Sequence, residues 1–118
     1  MQTFTELAAW RRNPPLDRPP LACGGVDLDN FQRLIDATFG ERDRARGVPS
    51  SVAWLAEEVG ELAQAVRKGS HAEQVHEFAD VLAWVASLAN QVGVDLTEAS
   101  QRYAAGCPRC AAIPCICP

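Results

Sequence analysis

The amino-acid sequence predicts an all-α protein, an antiparallel bundle of about four helices that dimerisation completes. From residue 27 onward, apolar side chains recur every three or four residues, which is the periodicity of an amphipathic helix. Short connections rich in Gly, Ser and Pro separate these segments, as antiparallel neighbours require. Alanine is abundant and aromatic residues make up only 7% of the chain, which favours closely packed helices over a β-sandwich.

Three regions differ in composition. We expect a Pro/Gly-rich N-terminal arm at 1–26, a helical domain at 27–104 and a Cys-rich tail at 105–118. In the arm, two Pro-Pro pairs enforce extended chain and a Gly-Gly pair loosens it. We expect an arm or linker that can form a short helix at 5–11 and can lie across the surface of the bundle.

The first two helices are defined by their caps and apolar faces. Asp27 or Asp29 is expected to N-cap the first helix, which ends at Gly47. Ser50 or Ser51 is expected to cap the second, which ends at Gly69. The apolar residues of the first helix are Phe31, Leu34, Ile35 and Phe39, and those of the second are Val52, Leu55, Val59, Leu62 and Val66.

The third and fourth helices each begin with a capping-box pattern. Ser70 with Glu73 opens the third helix, which ends at Gly93. Asp95 with Glu98 opens the fourth, which we expect to run through Tyr103 and stop at Gly106. The apolar face of the third helix comprises Val75, Phe78, Leu82, Val85, Ala89 and Val92.

The helices are too few to bury all of this apolar surface. They total about 75 residues, and small domains bury proportionally less of their surface than large ones. The third helix also carries Val81, Trp84 and Leu88 outside its main stripe. We therefore expect a homodimer or homotetramer that completes the bundle.

Charge and hydropathy restrict the class of partner. The net charge of −4 and the pI near 5.1 argue against a nucleic-acid polymer. The longest apolar run, 81–89, is too short to span a membrane, and no targeting segment is visible at the N-terminus. We expect a cytoplasmic protein, in which the five cysteines are thiols or metal ligands rather than disulfides.

Acidic residues recur on two successive predicted helices. The second helix carries an E-E-x-x-E cluster, and the third carries an E-x-x-D pair beside its apolar stripe. Alone, the first cluster is more typical of a solvated face, but packing of the two helices brings both groups to one seam. Carboxylates about 5 Å apart repel by roughly 3 kcal/mol per pair at an effective dielectric of about 20. The acids concerned are Glu57, Glu58, Glu61, Glu77 and Asp80.

Such a set of carboxylates indicates a divalent cation. All-oxygen ligation without histidine is typical of Mg²⁺ or Mn²⁺. Di-iron bundles use Glu-x-x-His pairs instead, and Asp80 stands where that histidine would be, which disfavours iron. His76 is assigned no role.

The sequence at these acids resembles a known family. The stretch 54–69 (WLAEEVGELAQAVRKG), the segment 77–82 (EFADVL) and the segment 93–96 (GVDL) are similar to the MazG-like nucleotide pyrophosphohydrolases of the all-α NTP pyrophosphatase superfamily. The resemblance covers about residues 28–104. It implies Mg²⁺-dependent hydrolysis of a nucleoside triphosphate to the monophosphate and pyrophosphate by a dimer or tetramer.

The resemblance also implies roles for individual residues. Glu58, Glu61, Glu77 and Asp80 match the metal ligands, and Glu57 is the candidate catalytic residue that orients or deprotonates the attacking water. Candidate substrate-binding residues are the cations Lys68 and Arg102, with Arg42, Arg44, Arg46 and Arg67 as further candidates, and the aromatic residues Trp54 and Trp84. Surface or packing roles are the alternatives for these.

The tail contains a separate group of potential ligands. Its C-x-x-C…C-x-C pattern is compatible with one structural Zn²⁺ in a Cys₄ site, although C-x-C is a cramped second half. Free or redox-active thiols are the alternative. The residues are Cys107, Cys110, Cys115 and Cys117.

Two alternatives to a general nucleotide pyrophosphohydrolase remain open. One is a phosphoribosyl-ATP or dUTP/dCTP-specific enzyme of the same superfamily. The other is a non-catalytic metal-binding interaction module. Five intact acids disfavour the second alternative, but the sequence does not reveal the preferred base or sugar.

Overall fold

The computed structural model describes residues 26–118, and within them it contains four α-helices and no strand. The predicted arm, apart from Val26, lies outside the described residues. The helices are α1 (Leu28–Arg46), α2 (Val48–Lys68), α3 (His71–Val92) and α4 (Leu96–Ser100), followed by a 3₁₀ turn at Gln101–Tyr103. Helix α3 packs extensively against both α2 and α1, whereas α1 and α2 contact each other only slightly. The all-α prediction is confirmed.

Local caps set the ends of α1. Of the two predicted N-caps, Asp27 takes the role, and its carboxylate accepts a hydrogen bond from the backbone N–H of Asn30 at 2.8 Å. The helix ends at Gly47, whose φ of 88° lies in the region that favours glycine. This residue produces a sharp turn, so α2 follows without a loop.

The predicted start of α2 was wrong. The helix begins at Val48 with Gly47 at its N-cap position, and Pro49 lies in its first turn, where a missing N–H costs nothing. Ser51 is therefore inside the helix rather than before it. Its hydroxyl is fully buried and donates to the carbonyl of Gly47 at 3.1 Å.

The connection between α2 and α3 consists of Gly69 and Ser70. The predicted capping box is confirmed: the N–H of Glu73 donates to the Ser70 hydroxyl at 3.3 Å, and the N–H of Ser70 donates to the Glu73 carboxylate at 2.6 Å. Gln74 also donates a side-chain hydrogen bond to the carbonyl of Ala65 across the turn. These bonds fix how α2 and α3 face each other.

The end of α3 and the short α4 are held by one glutamine. Gly93 adopts a left-handed conformation and ends α3, as predicted. The side chain of Gln32 donates to the carbonyl of Val94 and accepts from the N–H of Leu96, both at 2.8 Å. The predicted fourth helix through Tyr103 is shorter than expected, because its last turn is 3₁₀, a frequent ending for a helix.

Buried polar side chains join the three long helices. The Ser87 hydroxyl of α3 donates to the carboxylate of Asp43 in α1 at 2.6 Å, and both residues are buried. Gln91 of α3 donates to Ser87 at 3.1 Å and to Ser51 of α2 at 2.9 Å. Arg46 lies 3.6 Å from Asp43 and balances its charge. This network sets the relative register of the helices.

The apolar core of the described residues is small. Its buried members are Ile35, Ala65, Ala86 and Ala89. Much of the predicted apolar surface is instead exposed: Leu34 in α1, Val52, Val59 and Val66 in α2, and Val75, Phe78, Leu82, Val85 and Val92 in α3. Within residues 26–118, no helix is long and apolar enough to cross a membrane.

We predict that Ser87→Ala destabilises the fold by about 1–3 kcal/mol, because it leaves a buried carboxylate without its hydroxyl donor. The measurement is urea unfolding at a fixed chain concentration. Ser100→Ala is the matched control, since the Ser100 hydroxyl bonds only to the exposed turn at Thr97 and its loss should cost under about 0.5 kcal/mol. Equal effects of the two substitutions would contradict the role given to the buried network.

Candidate metal centre

Three carboxylates meet where α2 faces α3. One oxygen each from Glu58, Glu77 and Asp80 can be chosen such that all three lie within 4.8 Å of one another. Glu58 comes from α2 and the other two from α3, at i, i+3 spacing on one face. Each of the three residues is only partly exposed. We call this group the acidic cluster.

Two oxygens of the acidic cluster have no partner. Glu58 Oε2 and Glu77 Oε2 are inaccessible to solvent and find no hydrogen-bond donor among residues 26–118. A buried polar atom without a partner carries its full desolvation cost, more so when it is charged. The donor set is hard, anionic and entirely oxygen, so these residues fit a divalent cation such as Mg²⁺ or Mn²⁺.

Electrostatics at the acidic cluster disfavour its bare, ionised form. Burial first, and then the charges of Asp80, Glu61 and Glu77, raise the pKa of Glu58 above its ordinary value of 4.5. Crowding of carboxylates favours the protonated form of Glu58 over the ionised form. A cation would supply the opposite charge that favours ionisation of Glu58.

The remaining acids of the motif lie around the acidic cluster. Glu61 is exposed and close enough for its charge to act on Glu58, but it is not among the three whose oxygens converge. Glu57 is exposed and does not belong to the converging set. The two therefore differ from Glu58 in burial although all three are consecutive members of one sequence motif.

One contact was missed by the sequence analysis. His76 Nε2 lies 3.3 Å from Asp80 Oδ2, one helical turn away on α3. When protonated, this imidazole forms an ion pair with a carboxylate of the acidic cluster. The i, i+4 spacing of His76 and Asp80 was the available signal.

A cavity of about 190 Å³ adjoins the acidic cluster and shares Asp80 with it. Two cations, Arg42 and Arg46, and two aromatic rings, Phe39 and Trp84, contribute to its walls, which α1 and α3 build. The other lining residues are Ile35, Asp43, Ala83 and Ser87. We call this space the α1–α3 cavity, and it places positive charge beside the acids.

Both candidate tryptophans lie near the α1–α3 cavity. The rings of Trp54 and Trp84 stack with centroids 6.0 Å apart and planes inclined by 5°. Arg46 places its guanidinium carbon 5.9 Å from the centroid of Trp84, within range of a cation–π contact. Trp84 thus contacts both an aromatic ring and a cation, which orient its side chain.

Lys68 and Arg102, the two leading candidate cations, lie in different places. Lys68 lines an open groove between α2 and α3, together with Glu61 and Glu77. Arg102 is exposed on the 3₁₀ turn and lines neither this groove nor the α1–α3 cavity. Only Lys68 is therefore adjacent to the acids.

We predict a pH-dependent stability for the protein in the presence of a chelator. Because the pKa of Glu58 is raised on folding, the folded chain binds more protons, and stability falls as pH rises from the unfolded value of about 4.5 through the folded one. Glu58→Gln removes this loss. At neutral pH the variant should be more stable by the order of 1 kcal/mol, and the difference should vanish at lower pH.

Thermal unfolding across pH, at one chain concentration, measures this difference. Glu57→Gln is the matched control, because it removes the same charge one residue away from the acidic cluster. A gap between Glu58→Gln and the unmodified chain that is independent of pH would contradict the assignment.

A sequence model of the MazG nucleotide pyrophosphohydrolase domain matches residues 46–108, which is more than half of the 118 residues. The chain therefore belongs to this family. The matched region includes α2 and α3 and thus the acidic cluster together with Glu57 and Glu61. No curated protein matches the chain at a significant level.

Proposed function

We propose that this member of the MazG nucleotide pyrophosphohydrolase family is a Mg²⁺-dependent enzyme that converts a nucleoside triphosphate and water to the monophosphate and pyrophosphate. The observation that supports this most is the acidic cluster, with its two buried, unpartnered carboxylate oxygens. A structural role would leave that desolvation cost without compensation. A cation-dependent role compensates it.

In this proposal Glu58, Glu77 and Asp80 hold the cation, and Glu61 contributes from the exposed side. When bound, Mg²⁺, or Mn²⁺ in its place, neutralises charge on the phosphate oxygens and polarises the phosphoryl group under attack. The carboxylates would hold the cation from one side, because the connection between α2 and α3 fixes the two helices relative to each other. Glu57 is assigned to orient or deprotonate the attacking water, a task suited to a carboxylate beside the ligands but not among them.

Cations of the chain complement the phosphates. A triphosphate carries about four negative charges, which the acidic cluster alone repels. Arg42 and Arg46 line the α1–α3 cavity next to Asp80, and Lys68 lines the groove on the other side. We assign these three residues to phosphate binding, with the polyphosphate passing between them over the acids.

Trp84 is our candidate surface for the nucleotide base. Its ring lines the α1–α3 cavity and is oriented by Trp54 and Arg46. Flat aromatic faces bind bases without reading their edges. This arrangement suits a nucleotide of any base, and it supports the general pyrophosphohydrolase over the base-specific alternatives.

We further propose that the enzyme is a homodimer or a larger homo-oligomer. The exposed residues Val75, Phe78, Leu82 and Val85 follow the alternating three- and four-residue spacing of a helix-bundle seam. On α2, Val52, Val59 and Val66 repeat every seven residues and form a second exposed stripe. A second copy of the chain presents the same two stripes, so the two surfaces are self-complementary.

The size of the α1–α3 cavity supports the same conclusion. Its volume of about 190 Å³ is below the roughly 300–1,000 Å³ of typical small-molecule sites. Further walls are needed to enclose a nucleotide. A second subunit is the source that also covers the exposed stripes.

We predict that Glu58→Gln and Asp80→Asn each lower Mg²⁺-dependent pyrophosphate release by more than about 100-fold, the loss that even outer partners of a metal can cause. Circular dichroism should show unchanged helicity. Glu57→Gln should also lower turnover but keep Mg²⁺ binding, measured by calorimetry, because it is not a ligand. Glu41→Gln, an exposed acid of α1, is the control and should behave as the unmodified chain.

The substrate is tested with a panel of ribo- and deoxyribonucleoside triphosphates together with phosphoribosyl-ATP, scoring pyrophosphate against orthophosphate. Pyrophosphate from several bases is expected. Orthophosphate as the product would place the attack at the terminal phosphate, and retained turnover in Asp80→Asn would refute its role as a ligand.

The oligomer prediction is tested by light scattering at micromolar chain concentration. The expected mass is at least twice the 12.8 kDa of one chain, and Phe78→Glu should reduce it by placing a charge in the apolar seam. Ala37→Glu, an exposed position of α1, is the matched control and should not change the mass. A monomer mass for the unmodified chain would exclude the proposed assembly.

A further inference from the structure

The tail that follows the 3₁₀ turn gathers four cysteines that the proposed reaction does not use. The sulfur atoms of Cys107, Cys110, Cys115 and Cys117 all lie within 4.8 Å of one another. The sequence left open whether the cramped C-x-C half could join the C-x-x-C half. In the fold, its two members pair with different partners: Cys117 with Cys107 at 3.7 Å, and Cys115 with Cys110 at 3.9 Å.

These separations match the edges of a tetrahedron around zinc. Zinc–thiolate bonds of about 2.3 Å in tetrahedral geometry place neighbouring sulfurs about 3.8 Å apart. A disulfide would instead require about 2.05 Å. The four sulfurs therefore have the spacing of a metal site rather than that of two oxidised pairs.

Backbone amides surround the sulfurs. The N–H groups of Cys110 and Arg109 bond to the Cys107 sulfur. Those of Ile116 and Ala112 bond to the Cys110 sulfur. The N–H of Cys117 donates to the Cys115 sulfur at 3.4 Å. Such N–H donors stabilise negative charge on thiolate sulfurs. This matters in a Cys₄ site, because four thiolates around one cation concentrate negative charge in a small volume.

The rest of the tail provides little else to hold its shape. Its two largest apolar side chains, Ile113 and Ile116, are 82% and 76% exposed. Backbone hydrogen bonds link Cys107 to Ala111 and Ala112, which closes the loop around the cysteines. A segment of this size without an apolar core folds around a cross-link or a metal.

We propose that Cys107, Cys110, Cys115 and Cys117 bind one structural Zn²⁺ per chain. Four thiolates complete a tetrahedral shell and leave no position for substrate or water, so the site is structural rather than catalytic. Soft sulfur ligands also separate it from the acidic cluster, whose hard oxygens suit Mg²⁺. The proposal does not depend on the reaction proposed above.

The first test measures the zinc content of the full-length chain purified with reductant and without chelator. One zinc per chain is expected by elemental analysis and native mass spectrometry. Cys110→Ser and Cys117→Ser should each lower the retained zinc at least tenfold after exchange against a mild chelator. Cys23→Ser alters the one cysteine of the sequence that lies outside the tail. It is the matched control and should keep one zinc.

A second control separates the two candidate metal sites. Glu58→Gln should keep its zinc, because the acidic cluster is not where zinc resides. Loss of zinc in this variant with retention in Cys110→Ser would overturn the proposal. Chain purified under reductant without zinc, or with the four cysteines recovered as disulfides by mass, would overturn it as well.

The unmodified chain provides a test that needs no substitution. Cobalt exchanged into the site should give the intense visible bands of tetrahedral cobalt thiolate. Trypsin should cleave after Arg109, which lies between Cys107 and Cys110, much faster once a chelator has removed the metal. Equal cleavage rates with and without chelator, or the weak spectrum of octahedral cobalt, would contradict a zinc-folded tail.

Discussion

Repulsion among the carboxylates at the α2–α3 seam is the constraint on which the rest of the molecule depends. Glu58 lies in the packed face of α2 and meets Glu77 and Asp80 of α3, where two of their oxygens are buried without a donor. The capping box at Ser70 and the short connection prevent the helices from sliding apart to relieve the repulsion. The fold thus holds negative charge in a position that a bound cation can compensate.

Small residues make this close approach possible. The buried apolar residues at the helix contacts include Ala65, Ala86 and Ala89, and small side chains let helix axes approach closely. Because these side chains are small, the core is small and its hydrophobic stabilisation is weak. Hydrogen bonds between Asp43, Ser87 and Gln91 supply part of the missing specificity, since they tolerate only one register of the helices. The buried hydrogen bonds, which fix the register, and the close contact through small residues together bring the acids near one another.

Patterns local in sequence predicted much of this arrangement. The i, i+3 acids, the Asp27 cap and the Ser70 capping box depend on one helix at a time, and the structure contains each of these caps. The predictions that were wrong, and the contacts that were not predicted, depend on tertiary packing. The start of α2 is set by the positive φ of Gly47 rather than by a serine cap. Helical periodicity alone does not distinguish the half-buried Glu58 from the exposed Glu61. The stacking of Trp54 on Trp84 requires the rotation of two helices to be known.

The chain carries two clusters of potential ligands whose donor atoms prefer different metals, and this difference has a physical rationale. Carboxylates bind Zn²⁺ in addition to Mg²⁺, and Zn²⁺ generally binds more tightly. An acidic cluster alone therefore does not exclude Zn²⁺. Four preorganised thiolates bind zinc far more tightly than a few carboxylates do. The proposed zinc and magnesium sites therefore form on one chain without competing for one ion, although the tail begins directly after the helical domain. Ligand softness, rather than distance along the chain, is what keeps the two proposed sites distinct.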